Sequence, residues 1–292
     1  MNVAVYCRKL VKQNVSQYAE FFNILNEFGW KPVVEKEFKS QLIKKMDMGH
    51  SFQEFSTHRD LAEGIDLAVS IGGDGTFLKM VGYVRNSKTP ILGINTGRLG
   101  FLANVSKERL EEAMHMVKQK NYVHQKRSLI RVNTEENLFG EDNFAMNELT
   151  LHKKDTSSMI TVHASLEDKY LNSYWADGLI VGTPTGSTAY SLSCGGPIIT
   201  PGCQVHILTP IAPHNLNVRP MVVPDHMPIK LQVEGRERKY LVSLDSISKP
   251  IKNGSEVIVN KAEFMINVIK FEENNFLDTI RAKMMWGHDK RN

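Results

Sequence analysis

An apolar run, Leu67-Ala68-Val69-Ser70-Ile71, passes directly into Gly72-Gly73-Asp74-Gly75-Thr76 and then into the helix-like Phe77-Leu78-Lys79-Met80-Val81. A strand that turns on glycines into a helix is the building unit of parallel α/β sheets, and it leaves the turn at the carboxyl end of the strand. Glycine lacks a Cβ, so a ligand can come close to the backbone there. The start of the helix aims unpaired N–H groups and the positive end of its dipole at an anion. Asp74 is the odd member of the group, because a phosphate cradle has no use for a negative charge. It is either a turn-former or a group that does chemistry.

The alternation extends through the first 122 residues. Val3-Ala4-Val5-Tyr6, Pro32-Val33-Val34 and Ile91-Leu92-Gly93-Ile94 read as strands. Tyr18, Phe21, Phe22, Leu25 and Phe28 recur at helical spacing, which predicts a helix over 16–30 ending near Gly29, and a second is expected over 106–120. Residues 40–59 have weak periodicity and several polar residues and are expected to be a poorly ordered or family-specific insertion. These signals predict a doubly wound, Rossmann-like α/β domain over 1–122.

Beyond Tyr122 helical periodicity nearly vanishes. Short runs rich in strand formers follow at 128–132, 148–152, 160–164, 179–181, 229–233, 240–244 and 257–259. They predict a mainly β substrate-binding domain over 123–270. The helix-like tail from Phe276 to Trp286 should pack back on the first domain, so that 271–292 joins it. With no repeat and no low-complexity linker, the two domains should abut and leave a cleft for the active site.

Composition narrows the function. A formal charge of +4 fits an anionic small molecule and argues against nucleic acid, which calls for a clustered basic stripe. The pairs Lys44-Lys45 and Lys153-Lys154 are scattered and read as solvated faces. Cys7, Cys194 and Cys203 show no C-x-x-C spacing and read as reduced thiols of a cytoplasmic protein. No signal peptide and no membrane span are expected. The chain has no Walker A sequence, and its ten histidines show no metal-ligand spacing, so no metal held by protein ligands is expected.

A second unusual segment runs from Asp177 through Gly178-Leu179-Ile180-Val181-Gly182-Thr183-Pro184-Thr185-Gly186-Ser187-Thr188-Ala189-Tyr190-Ser191-Leu192-Ser193. Again an apolar strand enters a turn, here rich in glycine and hydroxyls, that opens a short helix stopped by Gly195-Gly196-Pro197. Ser and Thr cap helices well, but there are more of them than one cap uses. The surplus suits a polar ligand with many acceptors, such as a nucleotide.

Together these segments resemble the NAD kinase family. The resemblance rests on Gly72 to Thr76, on Gly93-Ile94-Asn95-Thr96-Gly97-Arg98-Leu99-Gly100-Phe101-Leu102, on Asn147-Glu148 and on Asp177 through Pro197. It continues in Pro213-His214-Asn215-Leu216-Asn217-Val218-Arg219-Pro220 and in Ser243-Leu244-Asp245-Ser246. Diacylglycerol, sphingosine and 6-phosphofructokinases share a loop of the Gly-Gly-Asp-Gly type but not the Thr-Pro-Thr-Gly-Ser-Thr-Ala-Tyr-Ser segment. The resemblance implies ATP-dependent phosphorylation of the adenosine ribose 2′-hydroxyl of NAD, with Mg²⁺ entering on ATP, and a homodimer or homotetramer.

By matching position, Asp74 becomes the catalytic acid-base residue, and Gly72, Gly73, Gly75 and Thr76 the phosphate loop. The implied NAD-binding set is Asp74, Gly75, Lys79, Asn147, Glu148, Asp177, Thr188, Ala189, Tyr190, Ser193 and Ala212. Two positions depart from the family pattern. Ile247 stands where many bacterial members have glutamine, and Trp175 where NAD-preferring members often have a basic residue. A lipid or sugar kinase, and a non-catalytic dinucleotide sensor, are the alternative readings.

Overall fold

The computed structural model describes residues 1–61, 64–97, 100–103, 105–154, 158–272 and 275–286. The chain divides into two compact units, residues 1–126 with 266–292, and residues 127–265.

In the first unit the strands Gln53–Phe55, Lys31–Glu35, Asn2–Tyr6, Leu67–Ile71 and Ile91–Asn95 lie side by side in that spatial order, and all neighbours are parallel. Leu67–Ile71 is buried along its whole length, as expected of a parallel strand covered on both faces. The order reverses between Asn2–Tyr6 and Leu67–Ile71, which makes their carboxyl ends a topological switch point, where open α/β sheets bind ligands. The Gly72–Thr76 turn lies at that point and enters the helix Asp74–Val84, which buries Phe77, Met80, Val81 and Val84 at three- and four-residue spacing.

Two segments differ from the sequence expectation. Residues 40–59 are ordered: they finish the helix Lys36–Met46, form the strand Gln53–Phe55 and enter a 3-10 turn, His58–Leu61. Only Phe38 and Leu42 anchor that helix, so its apolar stripe is too thin to stand out, and Glu35 caps it by accepting from Phe38 N–H at 2.9 Å. The division between units falls at 126/127 and 265/266 because Val123–Arg127 and Ile266–Lys270 are strands of the first unit's sheet. Ile266–Lys270 adds in parallel beside Ile91–Asn95, a non-local pairing that periodicity cannot register.

The second unit holds two six-stranded antiparallel sheets. One is ordered Met221–Pro224, Val205–Ile211, Gly178–Gly182, Glu148–His152, Lys239–Leu244, Ile247–Lys252. The other is Lys169–Ala176, Ile160–Leu166, Ile229–Glu234, Glu256–Lys261, Ile130–Thr134, Phe144–Ala145. Ile229–Glu234 alternates strictly between buried and exposed residues, and Leu149, Leu151, Val181, Val162, Leu231 and Val242 meet in one core shared by both sheets.

Candidate functional site

In the first unit the carboxylate of Asp74 is held by backbone. Oδ2 accepts the N–H of Phe101 at 2.9 Å, and Oδ1 accepts those of Leu102 and Ala103, each at 3.1 Å. The loop reaches Asp74 because Gly100 has no side chain; a Cβ there would overlap the carboxylate. An ionised carboxylate offers about four acceptor positions. Three are used, and one lone pair on Oδ2 is left.

Asp74 is also the first residue of its helix. The N-cap is Gly73, whose lack of a side chain leaves the helix N-terminus without a side-chain cap. A Cβ on Gly73 or Gly75 would meet nothing within 4 Å, so the outer face of the turn is open. Gly72, at φ +153°, is fixed differently, since a Cβ there would run into Thr76. Lys79 lies further along the same helix, its ammonium 5.3 Å from the ring centroid of Tyr83.

In the second unit the backbone-held carboxylate is Asp245, in the tight turn between Lys239–Leu244 and Ile247–Lys252. It accepts the N–H groups of Met146 at 2.9 Å, Asn147 at 2.9 Å and Glu148 at 3.2 Å. Asp245 itself sits at φ +47°, and its own N–H donates to Glu148 O at 3.0 Å. The Asn147-Glu148 entry to the strand is thereby locked. Glu148 is 9 % exposed, and its Oε2 is buried with no hydrogen-bond partner. Burial first, then the neighbouring Asp245 charge, push its carboxyl up to about 8, against a hydrogen bond from Tyr190 N–H.

The hydroxyl-rich turn packs onto the same entry. Asn147 O accepts Thr183 N–H at 2.8 Å, and Thr183 Oγ1 donates to Met146 O at 2.5 Å. A Cβ on Gly186 would overlap Asn147 O, so only glycine permits this approach. Several hydroxyls are used inside the turn. Ser187 Oγ donates to Pro184 O and accepts from Ile199 N–H, Ser191 Oγ bonds Thr209 Oγ1 at 2.7 Å, and Thr188 Oγ1 donates to Thr185 O. The hydroxyl surplus noted in the sequence is therefore largely spent on shaping the turn. Arg127, which no sequence motif marks, is 4 % exposed and donates to Thr185 Oγ1 at 3.2 Å. Tyr190 and Ser193 remain exposed on the short helix Tyr190–Ser193, with Ala189 half-buried before it; the Tyr190 hydroxyl donates to the Cys194 sulfur.

Asp177 and Ala212 lie elsewhere on the same sheet. Glu148 pairs with Gly182, whereas His152 pairs with Gly178 and Gly178 with Ile211. Four residues of strand, about 13 Å at ~3.3 Å each, separate the two groups. Tyr190 bridges them in part, since the Asp177 charge reaches its hydroxyl. Asp177 is paired with Lys153 at 2.5 Å. Lys153 was expected on a solvated face; its side chain is only 17 % exposed, because the antiparallel register sets it beside Asp177. The Trp175 and His214 rings meet at a tilt of 44°, 4.3 Å between centroids, and Ala212 is exposed with φ +43°. Ile247 is 40 % exposed. Among the described residues no cluster of three His, Cys, Asp or Glu side chains could hold a metal ion.

The family model described as the ATP-NAD kinase N-terminal domain matches residues 3–122, and that described as the ATP-NAD kinase C-terminal domain matches 146–271. The chain is 48 % identical to the NAD kinase of Flavobacterium psychrophilum and 40 % identical to that of Bacteroides fragilis, in both cases over all of both chains. Among solved structures, yeast NADH kinase complexed with NADH superposes with a TM-score of 0.87 at 23 % identity, covering 99 % of this chain and 89 % of that one. An NAD kinase from Archaeoglobus fulgidus in complex with ATP gives 0.72 at 25 % identity, over 98 % and 99 %.

Proposed function

Since the chain belongs to the NAD kinase family, matched by both of its domain models and by full-length relatives, we propose that it transfers the γ-phosphoryl group of ATP to the adenosine ribose 2′-hydroxyl of NAD, giving NADP and ADP. The observation that carries this reading is the state of Asp74: an immobilised carboxylate with one free lone pair, at an uncapped helix start whose outer face is open. That combination orients a hydroxyl beside a site for phosphate.

The 2′-oxygen attacks the γ-phosphorus as the bond from the γ-phosphorus to the β–γ bridging oxygen breaks, and ADP leaves with that oxygen. The hydroxyl proton passes to Oδ2 of Asp74 late in the step, when P–O bond formation has made it acidic. The N–H groups of Asp74 and Gly75 face the phosphates and stabilise the charge that spreads over them. Mg²⁺ enters as part of the substrate, Mg·ATP, and neutralises triphosphate charge. In the second unit Asn147, Glu148, Thr188, Ala189, Tyr190 and Ser193 form one group of NAD contacts and Asp177 with Ala212 a second; Lys79 supplies positive charge near the phosphate loop.

The protein acts as a cytoplasmic homodimer or homotetramer. Self-association would cover exposed apolar side chains of the second unit, Leu216 at 87 % exposed, Met221 and Val222. No described helix is long and apolar enough to cross a membrane. The deciding assay offers the purified protein Mg·ATP with NAD, diacylglycerol or fructose 6-phosphate in parallel. NADP formation with NAD alone is expected; turnover only with the lipid or the sugar phosphate, or NAD binding without transfer, overturns the reading.

A further inference from the structure

Two carboxyl groups, Glu148 buried and Asp245 half-buried, lie together at the entry to the Glu148–His152 strand, and they are not equivalent. Asp245 accepts three backbone N–H groups. Glu148 accepts one, from Tyr190, and leaves Oε2 buried without a partner. Two carboxylates in a shared desolvated site do not both ionise readily, and the charge settles on the one with more donors. An ionised Oε2 with no donor would be costly, whereas a protonated one is a hydrogen-bond donor awaiting an acceptor.

We propose that Glu148 meets its nucleotide as a neutral carboxylic acid, kept protonated by the ionised Asp245, and that its O–H donates to an acceptor on the adenosine portion of NAD. Asp245 is then a positioning residue with two effects. It locks the backbone of 146–148, and it sets the protonation of Glu148. This rests on the NAD kinase reading above and deepens it.

The groups facing Glu148 are consistent with this assignment. Asp245 lies opposite on the turn of the neighbouring hairpin, the Tyr190 N–H and the Cys194 thiol face it from the short helix, and none of the influences on its carboxyl is a cation. Burial pushes Asp245 up as well, but its three amide donors oppose the rise where Glu148 has one.

The test measures the Kd of the full-length protein for NAD from about pH 6.5 to 9.5, in wild type, Glu148→Gln and Asp245→Asn. Above about pH 8 wild-type affinity should fall by about tenfold per pH unit as Glu148 loses its proton. The fall should be absent in Glu148→Gln, whose amide is a donor that cannot ionise, and should begin at lower pH in Asp245→Asn. A flat wild-type profile, or the same fall in Glu148→Gln, overturns the proposal. Where Asp245→Asn does not fold, the wild-type and Glu148→Gln pair decides alone. An infrared carbonyl band of a protonated acid, present in the unliganded wild type at neutral pH and missing from Glu148→Gln, tests the proton without NAD. Its absence overturns the proposal even where failure to bind NAD has already removed the kinase reading.

Discussion

Gly100 lies so close to Asp74 that a Cβ at residue 100 would overlap the carboxylate. This contact lets the backbone of 101–103 close over Asp74 with three N–H donors. The motif segment 93–102 is thus a clamp on the residue assigned to chemistry. Gly100→Ala must push the clamp away. The expected result is at least a hundredfold loss of kcat with a smaller change in NAD affinity, and a stability loss of about 1–3 kcal/mol by analogy with overpacking. Steady-state kinetics and thermal melting check both; unchanged kcat would detach the clamp from catalysis.

Asp74→Asn removes the proton acceptor, and turnover should fall by about 10²–10⁴. It should not be silent in structure. An amide has one acceptor oxygen, so its NH₂ group must face one of the three clamp donors, at about 1–3 kcal/mol. NADP formation together with NAD titration separates the two effects, and a variant that keeps wild-type turnover would remove Asp74 from the mechanism.

Lys153→Met leaves Asp177 without its cation. If Asp177 contacts NAD, KM for NAD should change about fivefold, the equivalent of ~1 kcal/mol for a part-exposed pair, with kcat within about twofold and a smaller effect at high salt. An unaltered KM would take this end of the sheet out of the NAD site.

His206 is 1 % exposed with no hydrogen-bond partner on either ring nitrogen, and burial lowers it to about 4, more strongly than Asp225 raises it. The unfolded chain therefore takes up a proton that the folded one refuses. Its contribution is intact above about pH 6.5, and stability falls as the pH drops toward 4, by about 3 kcal/mol. Because Glu148 titrates in part of the same range with the opposite sign, the His206 contribution is read as the difference between wild type and His206→Leu in denaturant titrations, wild type losing more stability as the pH drops from 6.5 to 4.

Glu148 acts in the opposite direction. Its folded-state value is raised from 4.5 to about 8, so its contribution is full below 4.5 and declines as pH rises through 8. Denaturant titrations extended to about pH 9 on Glu148→Gln should remove a fall in stability between about pH 4.5 and 8 and leave the profile below 4.5 unchanged. A change confined to pH below about 4.5 would contradict the assignment.

Local patterns carried much of the fold. Leu67–Ile71 and Glu148–His152 have the same bounds in sequence and structure, because each is a short apolar run ended by strong turn or polar signals. The helix Val15–Glu27 ends just before Gly29, which has the positive φ of a helix stop. Lys169–Ala176 went unread because its burial barely alternates, so period two has nothing to register. Met221–Pro224, a short and largely exposed edge strand, is silent for a similar reason.

What could be read along the chain is that Gly72, Gly73 and Gly75 open the backbone around Asp74, and that Asn147-Glu148 and Ser243-Leu244-Asp245-Ser246 carry further acids. Those are properties of residue type and near neighbours along the chain. Which carboxylate each backbone segment would clamp was decided only by the tertiary structure. Asp74 closes on residues 27 to 29 positions away and Asp245 on residues 97 to 99 away, and Lys153 finds Asp177 through an antiparallel register. Such partnerships depend on strand order and burial, which no local periodicity encodes. They also separate two acids of the same type, one at an open helix start with an acceptor position left over and the other bonded by three amides beside Glu148.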